Sequence, residues 1–412
     1  MKEKIFIACI SMFMYAHVFA QTNTLDYFLS QATSNSPLLK DYQNQIQSNE
    51  YDSLLLRASY KPQVTGSSTN IYPPVINGYG YDQAITNGGT YNALIGVNKQ
   101  LANKKNVAAQ LQGLQLQNRD ISNTAKISEQ DLKKNIIAQY ITAYSDQLQL
   151  NFVKDINALL SKEDTILKKL TVNNIYKQVD YLSFLVTLQQ QQLQAQQLDI
   201  QFKNDYAVLN YLCGINNAST DSLKYPDINI QQLPDINASS FFQKFEIDSL
   251  KLVNSKALID NNYRAKINLF ADAGYNSSLA YKAYKNFGTS IGISAIIPIY
   301  DGKQRKLQYD KLTLAEKTRQ HYRSFFSDQY HQQIEQLMQQ FNSTNELFVT
   351  INNQLRYTKA LIDANEKLLE TGDVRITDYI LSLNNYLNAK NLITQNIINR
   401  LQIINQLNYW NR

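Results

Sequence analysis

The sequence predicts a mainly helical fold with a β-barrel portion, built from two copies of one helix–strand–strand–long helix–helix unit. Three observations carry that expectation: a very long helical stretch with heptad patterning, alternating strands placed ahead of each long helix, and an internal repeat.

The clearest long stretch runs from Asp301 to Asp373. Counting in sevens, Ile334, Phe341, Phe348, Leu355, Ile362 and Leu369 are all apolar, with Leu337 and Ile351 in companion positions. A seam that repeats every 3.5 residues is the signature of a coiled coil. Asp301 can cap the first free N–H groups, and Gly372, the first glycine after Gly302, is a natural C-terminal stop. At 1.5 Å per residue such a helix is about 100 Å long, wider than any compact domain of this size, so it must span something.

The chain begins with Lys2 and Lys4, an apolar core from Ile5 to Tyr15, and Val18-Phe19-Ala20, so residues 1–20 read as a secretory signal peptide. Nothing after Gln21 approaches the run of about 18 apolar residues that a membrane helix needs, and only a β-barrel could then hold the mature chain in a bilayer. Cys9 leaves with the signal and stands too early to carry a lipid at a cleavage site; Cys213 is then alone, so no intramolecular disulfide is expected. Seven prolines and 13 glycines in 412 residues point to long helices and few loops. The formal charge of +6, of which the signal supplies one unit, is spread over interspersed lysines and acids, which excludes a nucleic-acid patch.

From Leu25 a short helix is expected, then a second from Pro37 to about Tyr60, ended by Lys61-Pro62. Strands follow at about 63–72 and 90–101, the latter alternating Tyr91, Ala93, Ile95 and Val97 with Asn92, Gly96 and Asn98. A long helix from Asn103 carries Leu132, Leu150 and Val153 beside Ile136, Tyr140 and Phe152, two apolar rows where a two-stranded coil needs one. The chain reverses at about 171–180 and returns through Phe202 to Leu212-Cys213-Gly214, closing a first repeat over 21–215. After a linker at 216–236, which holds Pro226 and Pro234, a second repeat at 237–412 restarts the pattern. Its strands are expected at about 264–276 and 287–300, and its tip at about 370–378. The two tips align without gaps at an offset of 198 residues, with Asn173-Asn174 against Thr371-Gly372 and Asp180-Tyr181 against Asp378-Tyr379.

On these residues the chain resembles the TolC-like outer-membrane efflux proteins (outer membrane factors), whose hallmark is this duplicated unit. The most specific match is Ile297-Pro298-Ile299-Tyr300-Asp301-Gly302-Lys303-Gln304-Arg305, similar to the family's strand-to-helix segment. Lys61-Pro62-Gln63-Val64 and Leu212-Cys213-Gly214 resemble its helix-to-strand entry and the close of its first repeat. The junction Leu101-Ala102-Asn103-Lys104 departs from the pattern in lacking both proline and glycine, and Asn174 stands where the second tip has Gly372.

The resemblance implies a homotrimer: a 12-stranded outer-membrane β-barrel continuing into a periplasmic α-helical barrel, with the loops Ile71–Gly89 and Asn276–Asn286 outside the cell. Four strands cannot close a barrel, whereas three copies can. The face bearing Phe287, Ile291, Ile293 and Ile297 would meet outer-membrane lipid, and Ser290, Gly292 and Ser294 the lumen. The implied function is the exit duct of a tripartite efflux or type I secretion system in a Gram-negative outer membrane, coupled through a periplasmic adaptor to an inner-membrane pump. Val172, Asn173 and Asn174 in one tip, and Thr371, Gly372 and Asp373 in the other, are the expected adaptor contacts, with Asp373 the candidate periplasmic gate favouring cations. No enzyme, cofactor or metal is expected: His321 and His331 lack a matching cysteine or acid cluster, and neither a phosphate loop nor GxSxG occurs. The competing expectation is a periplasmic or secreted coiled-coil scaffold without channel activity, which leaves the strand pairs and the duplication unexplained.

Overall fold

A computed structural model describes residues 23–82, 89–101, 103–217, 219–231, 239–278 and 282–410. The expected signal peptide lies outside the described residues, as do parts of both strand loops and of the linker. The chain runs α1 (Leu25–Asn35), α2 (Pro37–Ser59), β1 (Gln63–Ile71), β2 (Thr90–Gln100), α3 (Lys104–Val172), α4 (Gln178–Leu212), α5 (Ser240–Asn262), β3 (Lys266–Ser277), β4 (Phe287–Ile296), α6 (Gln304–Thr371) and α7 (Ile376–Trp410). No described helix is long and apolar enough to cross a membrane.

Two compact units cut across the sequence repeat, one of residues 41–124 and 241–324 and one of residues 1–40, 125–240 and 325–412. The first holds the sheet, a single antiparallel meander in the order β1-β2-β3-β4. Its register places Val64 opposite Val97, Ile95 opposite Ala273 and Leu269 opposite Ile293. β4 stops at Ile296 and not at Tyr300, because Pro298 has no N–H to give a ladder and biases Ile297 before it. Asp301 caps α6: its carboxylate accepts the N–H groups of Lys303 at 3.0 Å and Arg305 at 2.9 Å. Beyond that cap, α6 contains neither glycine nor proline over 68 residues, and α3 contains one glycine, Gly113, over 69. Nothing breaks either helix.

The second unit is organised around two cores. In one, Phe28 of α1, Ile136, Tyr140 and Leu150 of α3, and Phe202, Tyr206 and Leu209 of α4 are buried together with Leu223 of the linker. Phe28 meets Tyr140 and Tyr206 edge-on, with ring centroids 5.7 and 6.1 Å apart. The linker is fixed by its backbone: Gln147 donates to the Leu223 carbonyl at 3.0 Å and accepts the Leu223 N–H at 2.6 Å. The Tyr140 hydroxyl lies 2.9 Å from the Asn23 carbonyl and 2.7 Å from that of Lys224, joining the chain start to the linker across the core. Cys213 is buried there too, and burial pushes its thiol up to about 12. In the other core all four long helices contribute: Leu160 and Leu167 from α3, Phe184 from α4, Ile362 and Leu369 from α6, Tyr379 and Leu383 from α7.

The heptad row of α6 departs from expectation at one position. The companion positions Leu337 and Ile351 are buried, with Tyr330 and Thr344 in the same row; of the first row Ile334, Phe341 and Leu355 are half-buried and Ile362 and Leu369 buried, while Phe348 is exposed. The step from Ile351 to Ile362 is 11 residues, one heptad plus four, which carries burial from the companion row to the first row of the same seam.

Tyr140→Phe removes the one donor shared by the two carbonyls and leaves the packing intact. A loss of about 1–2 kcal/mol of stability is expected, read from thermal or denaturant unfolding.

Candidate functional site

The sheet has two chemically different faces. Residues opposite one another in an antiparallel ladder share a face, so Phe287, Ile291 and Ile293 of β4 lie with Tyr275, Ala271 and Leu269 of β3, and these with Ala93 and Val97 of β2. The other face carries Ser290, Gly292 and Ser294 beside Asp272, Phe270 and Asn268, with Gly96 and Asn98 next in line. On it the Ser290 hydroxyl donates to Asp272 at 2.6 Å, and the Phe270 ring covers Gly292, leaving no room for a Cβ there. Among the described residues nothing covers the apolar face of β4: Ile291 is 88% exposed.

The two hairpin tips use one turn. Asn174 (φ +60°) and Gly372 (φ +84°) both take the left-handed conformation after their helices. The Asn174 N–H donates to Thr171 at 3.0 Å and the Ile175 N–H to Leu170 at 3.0 Å; at equivalent positions Gly372 donates to Leu369 at 3.3 Å and Asp373 to Leu368 at 2.9 Å. This is the Schellman closure of a helix, which glycine enters freely and asparagine tolerates. The departure seen in the sequence, Asn174 for Gly372, therefore leaves the geometry unchanged.

The tips also touch each other. The Tyr176 hydroxyl lies 2.8 Å from the Val374 carbonyl and 3.2 Å from that of Leu369, and Ile175 presses against Gly372, where an added Cβ would meet its Cγ2 at 2.8 Å. Of the expected contact residues, Val172 ends α3 with 76% of its surface exposed, Asn173 and Asn174 form the first turn, and Thr371, Gly372 and Asp373 the second. The Thr371 hydroxyl donates to the Asp373 carboxylate at 2.6 Å, while Arg375 grips Asp378 through two nitrogens at 2.8 and 2.9 Å.

Periodicity gave no warning of Glu163. It lies fully buried on α3, with neither carboxylate oxygen hydrogen-bonded. Burial, then the nearby Glu366, raise it to about 7, against the pull of Lys162 at 3.7 Å. Lys162 itself bridges to Glu366 at 3.1 Å and Glu370 at 3.5 Å, tying α3 to α6 just behind the tips.

Gly372→Ala is expected to loosen the second tip, costing about 1 kcal/mol or more through the left-handed φ and the Ile175 contact, whereas Asn174→Gly is tolerated; hydrogen exchange at the two turns reads both. A carboxyl raised in the folded chain keeps its proton where the unfolded chain has lost it, so stability should fall as pH rises from the ordinary 4.5 through about 7. Glu163→Gln removes that slope, with a gain on the order of 2 kcal/mol at pH 8 relative to pH 5 when thermal unfolding is compared with the parent.

No protein-family profile and no curated protein sequence matches this chain. Solved structures do. CusC, described as forming a transmembrane channel, superposes with a TM-score of 0.75 at 11% identity, over 94% of this chain and 91% of that one. The outer membrane protein VceC of Vibrio cholerae gives 0.73 at 10% identity, over 94% and 96%. The open-state MtrE outer membrane channel of Neisseria gonorrhoeae gives 0.72 at 11% identity, over 94% and 88%. Agreement of this extent at so low an identity is agreement of backbone, and the chain has the fold of the TolC-like outer-membrane channels.

Proposed function

We propose that the protein is the outer-membrane exit duct of a tripartite efflux or type I secretion system, a passive homotrimeric channel that docks through its hairpin tips to a periplasmic adaptor and, through that, to an inner-membrane pump. The observation that carries this reading is the sheet: one face apolar and uncovered, the other polar, and the outer edges of β1 and β4 without a partner strand among the described residues. An open edge beside an uncovered apolar face is unstable in water and impossible in lipid. Three copies joined β4 to β1 give 12 strands, enough to close a barrel with the polar face inside.

The helices support the same assembly. Val179, Val186, Leu193 and Ile200 of α4 repeat every seven residues and are all exposed, as are Leu347, Leu361 and Leu368 of α6. These rows are separate from the buried ones, which α3, α6 and α7 already cover, and a tunnel wall needs a second seam on each helix for the neighbouring copy.

Such a duct works by shape and charge. Val172, Asn173 and Asn174 would form one adaptor groove and Thr371, Gly372 and Asp373 the other. Asp373, exposed at its turn and repeated three times around an axis, would make the mouth prefer cations. Selection of cargo would rest with the pump.

The deciding experiment is the mass of the detergent-purified mature protein followed by planar-bilayer conductance. A trimer giving discrete, long-lived steps is expected; a water-soluble species that never inserts would overturn the reading in favour of a coiled-coil scaffold. In the same bilayers Asp373→Ala should lower the cation-to-anion permeability ratio several-fold while leaving trimer mass unchanged.

A further inference from the structure

The places where strands meet helices carry an unbalanced charge. Residues 57–61, 99–105, 256–266 and 301–311 hold two, three, three and four lysines or arginines respectively, against three aspartates in all. The ladder brings these stretches to one edge of the sheet. Gln63 pairs with Asn98, Gln100 with Asn268 and Lys266 with Ile296, and each of those strand ends runs directly to or from a helix. The opposite edge differs: its two connections, 72–89 and 278–286, contain only Asp82, Lys282 and Lys285.

Two of the three aspartates are already engaged. Asp260 accepts from Arg305 at 2.5 Å and from the Tyr309 hydroxyl, and Asp301 is occupied in capping α6. Lys61, Lys104, Lys105, Arg264, Lys303 and Lys306 are exposed, and among the described residues none has a carboxylate within ion-pair distance. Cations left uncompensated side by side on a folded protein raise its self-repulsion and require an external anion to offset it.

The order of residues along the chain indicates which kind of anion. From Ile296 to Lys306 the sequence passes from isoleucines to a tyrosine and then to cations: Ile296, Ile297, Ile299, Tyr300, then Lys303, Arg305 and Lys306. Ile299 is 97% exposed although it is apolar, and it borders an open cleft of about 510 Å³ lined also by Tyr263, Tyr300, Lys303 and Lys306. A soluble anion would cover the lysines and leave Ile299 in water. A phospholipid satisfies both, with acyl chain on the aliphatics, glycerol at the tyrosine level and phosphate at the lysines.

We propose that this edge is a basic collar that binds anionic phospholipid headgroups of the leaflet on the helix side of the barrel, with Lys303 and Lys306 taking the phosphate and Ile299 and Tyr300 the upper acyl chain. The proposal rests on the reading of the sheet as a membrane barrel and adds to it a preference among lipids. It is tested by native mass spectrometry of the purified full-length protein in non-ionic detergent containing equal amounts of phosphatidylglycerol and phosphatidylethanolamine with identical chains.

The trimer is expected to retain phosphatidylglycerol about fivefold or more over phosphatidylethanolamine, and the preference should shrink as ammonium acetate is raised. Arg264→Gln combined with K303Q and K306Q should bring the ratio near one while conductance stays as in the parent. Lys61→Gln with K104Q and K105Q, placed at the other two junctions, should lower it in part and serves if the first variant does not assemble. Equal retention of the two lipids by a conducting parent trimer would overturn the collar and leave the duct standing, as would an unchanged ratio in both variants or displacement of the lipid by millimolar inorganic phosphate. A non-conducting soluble species retaining neither lipid would overturn both.

Discussion

The backbone of an edge strand carries a row of N–H and C=O groups that must be hydrogen-bonded somewhere, and this requirement governs the molecule. The four-stranded meander has both outer edges open among the described residues and one face made of isoleucine, alanine and phenylalanine, and it leaves that requirement unmet there. Water would satisfy the edges but not the face, and lipid the face but not the edges. In the ring proposed above, copies of the chain would satisfy both at once, and closure would sort the serines, Asp272 and asparagines onto the inside. α3 and α6 follow directly on β2 and β4, so in the proposed ring the symmetry of the sheet would extend to them.

Along the helices the corresponding problem is apolar coverage. Each has one buried row, gathered into the core shared by α3, α4, α6 and α7, and α4 and α6 keep a second row that the chain leaves in the open. Polar groups do the fixing. Gln147 holds the linker as a strand would, Tyr140 fastens two distant carbonyls, and Tyr176 links the two turns. Each does so through backbone atoms, while the side chains of Leu223 and Leu369 at the same points are buried in the two cores.

Much of this architecture was legible in the sequence because it rests on period. Alternation over Phe287–Ile296 marks a strand with unlike faces, the near absence of glycine and proline from Lys104–Val172 and Gln304–Thr371 marks unbroken helices, and the match of the two tips marks the duplication. Period fails where contact partners are distant. Phe348 fits the heptad and is exposed, while Thr344 is buried, since which row faces inward is decided by the neighbouring helices. Asn174 looked like a departure and proved equivalent to Gly372, a match set by backbone conformation and invisible in residue type. Glu163 has no local mark at all: a glutamate in a polar helix reads as solvated until the helix from the other repeat is packed on it. For the candidate site, sequence could align the turns, but the seating of Ile175 on Gly372 joins residues nearly 200 apart.

One pair of lengths has a consequence for how such a chain can change over time. α3 and α6 run 69 and 68 residues, and their return helices α4 and α7 run 35 each. The turns at their ends meet through Tyr176 and Gly372, so the two hairpins are gauged against one another. Deleting a single residue from α3 would withdraw its turn by about 1.5 Å and rotate everything beyond the deletion by about 100°, carrying Leu160 and Leu167 out of the core. Length variants in a lineage of such proteins are therefore expected to arrive as matched insertions or deletions in both halves, in steps of 7 or 11 residues that restore the facing row.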